Sequence, residues 1–264
     1  MSQNDVLLSV TPGGTAVITL NRPEKHNAFN ADVIAALSDM FETLRANTDE
    51  VRMVVLRGAG PSFSAGADLE WMKAAADWTH EDNEEDALGL ARMLRRLHDL
   101  PQLTIALVHG AAMGGGAGLV AACDVAIAVK DTKFRFSEVR LGLTPATISP
   151  FVVRAIGPRW ARALFATGEG FDGAFAHNIG LVQHVVDSAD DLDDRLEEIA
   201  KLAFAAAPGA VKAAKALVDD VYGKEIDDRL GKHTAKLIAD RRVSAEGKEG
   251  LAAFLEKRKA KWAE

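Results

Sequence analysis

The sequence contains a single cysteine, Cys123, among 264 residues. One cysteine cannot form a disulfide within the chain, and this one has no CxxC partner for a structural zinc site. The 7 histidines form no HxxxH or HExxH pattern, so the sequence gives no support for a metal site. These shortages argue against the disulfide-stabilised and zinc-binding classes. They favour a reducing compartment, which we expect to be the cytoplasm.

Positive charge and long apolar runs are also scarce. The 31 Lys and Arg residues are outnumbered by 38 Asp and Glu residues, which gives a formal net charge of -7 at pH 7. Nucleic-acid binding depends on clustered cations at phosphates, so no nucleic-acid partner is expected. No stretch approaches the roughly 20 apolar residues that span a bilayer. The first ten residues also lack the pattern of a signal peptide, so no membrane partner is expected.

What the sequence does contain is an alternation of strand-like and helix-like segments. The runs at 15–20 and 52–58 predict strands, and the segment between them has helical periodicity behind a capping residue, Asn30. The alternation returns with a predicted helix over 82–100, a buried strand, a short helix and the strand VAIAV. After about Ala155 helical spacing dominates. The sequence therefore predicts an α/β protein whose C-terminal third is mostly helical.

The glycine-rich stretch MGGGAGLV, at 113–120, lies between a predicted strand and a predicted helix. It lacks the Gly-Lys-Ser/Thr ending of a Walker A loop, and Leu119 stands where a dinucleotide fingerprint requires glycine. A strand that turns through bare backbone into a helix leaves N–H groups free at the positive end of the helix dipole, which suits an oxyanion. The alternative is that the glycines only permit close packing between helix and strand.

A second turn of small residues occurs in SFSAGADLEWM, at 62–72. It also follows a predicted strand and precedes a predicted helix, so it offers another backbone N–H that can point at the same oxygen. Two such donors on two turns form an oxyanion hole. A GxSxG elbow is absent, which argues against a serine hydrolase although Ser64 lies in this turn.

Five segments in this order resemble the crotonase, or enoyl-CoA hydratase/isomerase, superfamily: NRPEKHNAFN, FSAGADLEWM, HGAAMGGGAGLVAACD, FSEVRLGLTP and SAEGKEGLAAFLEKRKAKW. The resemblance covers nearly the whole chain. It implies a crotonase-like spiral of strand-strand-helix repeats with a helical C-terminal trimerisation region. Residues 1–195 are then expected to form the spiral core that binds CoA and the acyl group, and residues 196–264 the oligomerisation region. The implied assembly is a homotrimer, or a hexamer that is a dimer of trimers.

The resemblance also implies roles for particular residues. The backbone N–H groups of Ala67 and Gly115 match the family's donors to the thioester oxygen, and Glu138 matches an acid-base glutamate that the family carries on a later strand. No permanently bound cofactor is implied, because coenzyme A arrives as part of the acyl-CoA substrate. The expected contacts to CoA come from Lys25, Ala65, Asp68 and Leu69, and from Phe254 and Lys257 of the final helix, which in the family reach a CoA bound to a neighbouring subunit. The alternatives for these last two residues are packing within the chain and simple solvation.

The acid-base residues depart from the pattern of many family hydratases, because Gly118 stands where the first of two glutamates is expected. Glu138 alone could move a proton between carbon atoms, as single-glutamate isomerases of the family do, or it could activate a water whose proton then returns to the substrate. A third possibility is an acyl-CoA binding protein without catalytic activity. The sequence leaves the three open.

A narrower similarity concerns FSEVRLGLTPATISPFVVRAIG, which looks like the bacterial methylglutaconyl-CoA hydratase branch, where hydratases share this departure. That similarity implies a substrate with a distal carboxylate. Arg140 is the candidate ligand for it, the alternative being a surface arginine paired with a nearby acid. Trp71 and Met72 are candidate walls of the acyl pocket, the alternative being simple core packing.

Overall fold

Short strands and helices alternate through most of the computed structural model, which describes residues 5–263. The strands are β1 (Val6–Val10), β2 (Thr15–Leu20), β3 (Met53–Gly58), β4 (Leu103–Val108), β5 (Ala111–Met113), β6 (Val125–Val129), β7 (Lys133–Arg135), β8 (Gly170–Phe171) and β9 (His184–Val186). The helices are α1 (Ala31–Ala46), α2 (Leu69–Ala75), α3 (His80–His98), α4 (Gly115–Ala122), α5 (Ser149–Thr167), α6 (Gly173–Asn178), α7 (Asp191–Ala205), α8 (Pro208–Val221), α9 (Asp228–Val243) and α10 (Ala245–Glu256). No helix within 5–263 is both long and apolar enough to cross a membrane.

The larger of two sheets has six strands in the order β1-β2-β3-β4-β6-β9. Strand β1 pairs antiparallel with β2, and the remaining neighbours are parallel. A second sheet has the order β5-β7-β8. The chain therefore visits the large sheet, forms a helix and returns to the next parallel strand, with β5 and β7 set aside in the smaller sheet. This is the repeating path that the sequence predicts.

The large sheet is buried on both faces because successive side chains of a strand point to opposite sides. In β3, Val54 and Leu56 belong to the main core cluster, which also includes residues of α1, α3, α4 and α5. The alternate residues Met53 and Val55 face a smaller cluster completed by Leu192 and other residues of α7. Burial on both faces accounts for the nearly continuous apolar run of this strand.

Most of the predicted elements are confirmed. Strand β2 coincides with the predicted run, and α1 begins after Asn30, whose side chain accepts a 2.9 Å hydrogen bond from the N–H of Val33. The expectation that Glu138 lies on a strand is wrong. Strand β7 ends at Arg135, and Glu138 begins a short 3-10 helix, Glu138–Leu141. The chain turns there because Gly142 adopts a left-handed conformation, with φ 73°, that closes the helix.

The C-terminal helices are fixed to the large sheet by two cations. The Arg52 guanidinium, just before β3, donates to the carbonyls of Ala206 and Trp262, each at 2.7 Å, and to that of Phe204 at 3.1 Å. Lys215 of α8 donates to two carbonyls ahead of β4, those of Leu100 and Gln102, each at 2.6 Å. Helix α7 crosses the expected junction between residues 195 and 196, so the division into two regions stays a prediction.

We expect Arg52→Met to destabilise the fold by about 2 to 4 kcal/mol, because it leaves the carbonyls at the end of α7 without their donor. The measurement is urea unfolding at one fixed protein concentration. Arg57→Met is the matched control, since Arg57 lies on β3, just beyond Arg52, but makes a surface ion pair with Asp193 at 3.3 Å. That variant should change the unfolding free energy by less than about 1 kcal/mol. Equal effects of the two substitutions would contradict a structural role for Arg52.

Candidate active site

The turn at 63–68 lies between two other backbone segments and pairs with both. On one side, the N–H of Phe29 donates to the carbonyl of Gly66 and the N–H of Asp68 donates to that of Phe29, each at 2.7 Å. On the other side, Ser64 donates to Ala111 at 3.0 Å and accepts from Met113 at 2.9 Å through main-chain atoms. The turn is therefore held directly against the start of the glycine-rich stretch.

Glycines allow this approach. A Cβ on Gly66 would lie 2.8 Å from the carbonyl oxygen of Met113, and one on Gly116 would lie 2.8 Å from both the Cβ and the carbonyl oxygen of Ser64. A Cβ on Gly110 would lie only 1.9 Å from the carbonyl oxygen of Pro61. The close-packing interpretation of these glycines is thus correct. Close packing is also compatible with the oxyanion interpretation, because the contacts at these glycines bring the two donor turns together.

Each turn presents one free backbone donor. Gly115 is the first residue of α4, so its N–H has no partner within the helix. Ala67 lies between Gly66, whose carbonyl accepts from Phe29, and Asp68, whose N–H donates to Phe29, so its own N–H points away from that pairing. No residue in the described part of the chain accepts a hydrogen bond from either N–H. Both residues are partly exposed, although their neighbours in each turn are buried.

The Glu138 carboxylate lies over the glycine turn. Its Oε1 atom is 3.1 Å from the position that a Cβ on Gly114 would occupy, and Gly114 has a positive φ of 47°. Its Oε2 atom is shielded from solvent and has no hydrogen-bond partner among residues 5–263. Burial raises the pKa of Glu138 above its ordinary value. The Glu138 carboxylate is thus a proton acceptor that has one oxygen without a hydrogen-bond partner and lies beside the free N–H groups of the turns.

Position 118, where a second carboxylate is expected, carries none, and Ile148 fills the space beside it. A Cβ on Gly118 would lie 2.4 Å from the Ile148 Cγ2 atom and 3.8 Å from a methyl group of Leu94. Ile148 is 1% exposed and stands at the start of α5. The residue that replaces the expected glutamate is therefore an isoleucine from a different segment, not a polar group.

The Asp68 side chain stabilises the end of the turn at 63–68. Its carboxylate is 5% exposed, pairs with Arg22 at 2.9 Å and Lys25 at 3.4 Å, and accepts from the N–H of Glu70 at 2.9 Å, which caps α2. Burial acts to raise the pKa of Asp68, but the Glu70 N–H and the Arg22 guanidinium outweigh it and hold that pKa below its usual value. The side chain is committed to the fold, so the expected contact with CoA could come only from the main chain of Asp68.

The other residues expected to contact CoA lie at an accessible rim beside this turn. Ala65 is exposed, and Leu69, the first residue of α2, is 81% exposed despite its apolar side chain. The Lys25 ammonium group bridges Asp68 and the exposed Glu70, which it meets at 2.7 Å. An exposed leucine beside a lysine suits the apolar arm and the phosphates of a CoA molecule.

The remaining predicted residues are more scattered. Trp71 and Met72 are partly buried in α2, and Trp71 packs against the main core cluster. The Arg140 side chain is exposed and lies against Gly168, at the end of α5, where it makes no ion pair with any residue from 5 to 263. Its expected pairing with a nearby acid is therefore wrong. The same range contains no group of three or more His, Cys, Asp or Glu residues that could hold a metal ion.

The final helix α10 packs against α9 and leaves Phe254 81% exposed. The alternative that Phe254 packs within its own chain is therefore wrong. Lys257 is exposed and ends the helix in a left-handed conformation, with φ 54°. Arg258, just beyond the helix, turns back to Glu249 of α10 at 2.7 Å.

Sequence reasoning missed Asn27, which ties the turn before α1 to the segment between β3 and the AGAD turn. Its side-chain amide donates to the carbonyls of Ala59 and Ser62 at 2.9 and 2.8 Å, and its oxygen accepts from the N–H of Arg22 at 2.8 Å. It also missed Ser64 as a support, since the Ser64 hydroxyl donates to the Asn27 carbonyl at 2.9 Å and accepts from the N–H of Gly66. These contacts leave that hydroxyl committed to the turn. The only local signal for Asn27 is its place in a tight turn, where it adopts φ 55°.

Comparisons with known proteins agree with this geometry. Residues 11–264 match the family described as enoyl-CoA hydratase/isomerase. The short-chain-enoyl-CoA hydratase of Clostridium acetobutylicum is 34% identical over 261 residues, which cover 98% of this chain and 97% of that protein. An enoyl-CoA hydratase structure from Shewanella pealeana superposes with a TM-score of 0.95 at 38% identity, covering 99% of this chain and 97% of the other. A crotonase structure from Legionella pneumophila has a TM-score of 0.92 at 46% identity, covering 99% and 100%. The crotonase-like spiral fold is confirmed.

Gly118→Glu should lower both the stability and the activity of the chain, because the new side chain collides with Ile148. Adding Ile148→Ala to the same molecule opens the space. We therefore expect the double variant to be more stable than the sum of the two single effects by at least about 1 kcal/mol, as is usual for residues in direct contact. Urea unfolding of the four proteins measures this coupling. Additive effects would show that Ile148 does not occupy the place of the missing glutamate.

Proposed function

The chain belongs to the enoyl-CoA hydratase/isomerase family, and we propose that it adds water to a 2-enoyl-CoA thioester with Glu138 as its acid-base residue. The family and its relatives establish that it is an enzyme acting as an enoyl-CoA hydratase or isomerase. The observation that carries the proposal is the buried Glu138 carboxylate, which has one unpartnered oxygen beside two free backbone donors. These are the groups that such a reaction requires.

The donors act on the thioester oxygen. Addition of water to the β-carbon, or removal of a proton from the α-carbon, places negative charge on this oxygen as an enolate forms. The N–H groups of Ala67 and Gly115 stabilise that charge, each by about 2.7 to 4 kcal/mol when well aimed. They need no proton transfer of their own, and the dipole of α4 adds to the effect at Gly115.

Glu138 performs both proton transfers in the proposed hydration. Its carboxylate takes a proton from the attacking water as the oxygen bonds to the β-carbon and the double-bond electrons move to the thioester oxygen. The same carboxyl group then returns that proton to the α-carbon as the enolate collapses. One residue can serve both steps because the substrate ends with the hydrogen and hydroxyl of a single water. The apolar Ile148 at the opposite wall leaves no other titratable group there.

The alternative is a double-bond isomerase. It is favoured by the apolar Ile148 side chain, which takes the place of a second carboxylate. An isomerase needs only one carboxylate, which removes a proton from one carbon atom of a 3-enoyl-CoA and returns it to another. The replacement of a second carboxylate by Ile148 removes one group that would hold a water. Product analysis with crotonyl-CoA and 3-butenoyl-CoA separates the two reactions. A protein that binds both thioesters and converts neither would be the acyl-CoA binding protein without catalytic activity that the sequence also allows.

The finer proposal for the acyl group is a branched or carboxylated chain, such as methylglutaconyl-CoA. It is supported by the unpaired Arg140 guanidinium, two residues beyond Glu138, although this side chain rests against Gly168 at the surface. An arginine without a partner is available to a carboxylate through charge-assisted hydrogen bonds. CoA would lie along the rim formed by Lys25, Ala65 and Leu69. We propose that the reaction takes place in the cytoplasm as part of leucine breakdown.

The proposed assembly is a homotrimer, or a hexamer of two trimers. Its support is the exposed apolar side chains of the C-terminal region: Ile226, between α8 and α9, and Phe254 and Leu255 of α10 are 95%, 81% and 76% exposed in the single chain. Exposed apolar side chains at such density mark a surface that another subunit covers. Phe254 and Lys257 would then approach a CoA bound to the neighbouring subunit.

Glu138→Gln should lower kcat for hydration of crotonyl-CoA at least 100-fold, because the amide cannot accept a proton. The assay follows loss of the conjugated enoyl absorbance. Glu169→Gln is the control, since Glu169 is an exposed glutamate just beyond α5, and it should keep the wild-type rate. In the wild type, kcat/KM should fall as pH drops through the raised pKa of Glu138, because only the ionised carboxylate accepts a proton. A Glu138→Gln rate within tenfold of wild type would remove this residue from the mechanism.

Phe254→Ser combined with Leu255→Ser should dissociate the assembly, because both side chains project from α10 into an apolar subunit contact. Sedimentation velocity at matched concentrations should show a trimer or hexamer for the wild type and a smaller species for the variant. Lys259→Ser, an exposed change just beyond the same helix, should leave sedimentation unaltered. Retention of the wild-type size by the double variant would refute the proposed contact.

A further inference from the structure

A cavity of about 610 Å³ opens beside the smaller sheet, between β7, β8 and the start of α6. Its apolar walls include Met113, Phe171 and Phe175, each of which is half-buried. Among the residues from 5 to 263, neither Glu138 nor the two backbone donors of the turns line it. The volume is in the range of sites that bind small molecules. The proposed mechanism leaves this cavity unused.

Arg135 of β7 lines the cavity and has no counter-charge within the chain. Its guanidinium makes no hydrogen bond or ion pair with any residue from 5 to 263. The side chain is nevertheless half-buried, and its Nε atom is shielded from solvent. Removing a cation from water without giving it a partner is costly, so such groups are normally paired. The unpaired guanidinium therefore indicates an anionic ligand.

Two acidic residues also line the cavity, but neither pairs with Arg135. The Asp172 carboxylate accepts a hydrogen bond from the N–H of Phe175 at 2.8 Å and caps α6. Glu169 is exposed, and its carboxylate forms no ion pair within the described range. Lys133, which is exposed and likewise unpaired there, adds a second cation at the rim. Arg135 is thus the most buried of these four charged residues, and the chain does not neutralise it.

The Arg135 guanidinium lies against Gly170, its neighbour in the pairing of β7 with β8. A Cβ on Gly170 would lie 2.8 Å from the Nη2 atom of Arg135 and 3.1 Å from its Nε atom. The guanidinium can occupy this position only because Gly170 has no side chain. The charge is therefore held at the wall of the cavity by the local backbone, and no acidic side chain takes part.

Aromatic rings form the wall next to this charge. Phe171 packs against Phe175 with ring centroids 5.7 Å apart, and Phe175 meets the exposed Trp160 edge to face at 5.2 Å. Aromatic side chains pack favourably with a further ring or with an apolar chain. The cavity therefore combines one unpaired cation with an apolar, largely aromatic surface.

We propose that this cavity is a second binding site, which takes a small carboxylate with an apolar and preferably aromatic body. The carboxylate pairs with the Arg135 guanidinium through charge-assisted hydrogen bonds, and the body lies against Phe171 and Phe175. The ligand thus neutralises the cation that the chain leaves unpaired. This inference goes beyond the proposed function and does not rest on it, because binding at this site involves no turnover.

The test is calorimetric titration with phenylacetate and with phenylacetamide, its neutral analogue of similar shape. The wild type should bind phenylacetate at least tenfold more tightly than phenylacetamide. Arg135→Met removes the guanidinium and should weaken phenylacetate binding at least tenfold. Arg162→Met is the matched control, since Arg162 is an exposed arginine of α5 without an ion pair in the described range. It should leave the affinity unaltered.

Two further variants test the geometry without changing the charge. Gly170→Ala displaces the guanidinium and should weaken phenylacetate binding about tenfold, and circular dichroism checks that each variant is folded. Trp160 lies beside Phe175, so its fluorescence should change when phenylacetate binds to the wild type. Trp160→Phe should lose that change but keep the calorimetric affinity.

Three outcomes would overturn the inference. The first is a wild type that does not bind phenylacetate, or that binds phenylacetamide equally well. The second is an Arg135→Met variant that is folded and binds phenylacetate as the wild type does. The third is binding that saturating CoA abolishes and that Gly170→Ala leaves unchanged, which would place the ligand in the acyl-CoA site.

Discussion

The site depends on direct contact between two backbone turns. An approach this close leaves no room for a Cβ between the main chains, and here Gly66, Gly110 and Gly116 supply the bare backbone. The contact places two helix beginnings, those of α2 and α4, around one small space. A Cβ at any of these glycines would push the turns apart. The N–H groups of Ala67 and Gly115 can therefore lie close together only because these positions have no Cβ. The geometry is fixed before any substrate binds, which is the condition for effective stabilisation of an oxyanion.

The polar groups around the turns divide into those that hold the structure and those left free. The first group makes its hydrogen bonds within the chain, to backbone groups and to Arg22; its members are Asp68, Asn27 and Ser64. Glu138 retains an unpartnered oxygen, and the two backbone donors have no acceptor in the described chain. Side chains whose hydrogen bonds are all made within the chain thus hold in place the groups that have no partner. A buried polar group without a partner is costly in a protein interior, and at this site a substrate can satisfy the groups that the chain leaves free.

Sequence reasoning reached the parts of this site that are encoded locally. The glycine turn, the AGAD turn and the strands that lead into them are visible because each is a short pattern with its own physical signature. Sequence reasoning expected Glu138 on a strand, whereas it begins the 3-10 helix that follows β7 and its carboxylate lies against the glycine turn. The contact of Ile148 with position 118 could not be predicted. It joins residues from separate segments of the chain, and no sequence spacing reports a contact made across the core.

The hydrogen bond from Arg52 to the carbonyl of Trp262 joins residues 210 positions apart. The strand that follows Arg52 is central to the large sheet, whereas Trp262 lies among the last residues of the chain. During synthesis, that strand emerges long before its final partner exists. Contacts between such distant residues are slow to form because a long loop must close first. The Arg52 guanidinium therefore acquires this acceptor only after the helices that precede Trp262 have been made, and the hydrogen bond forms late in folding.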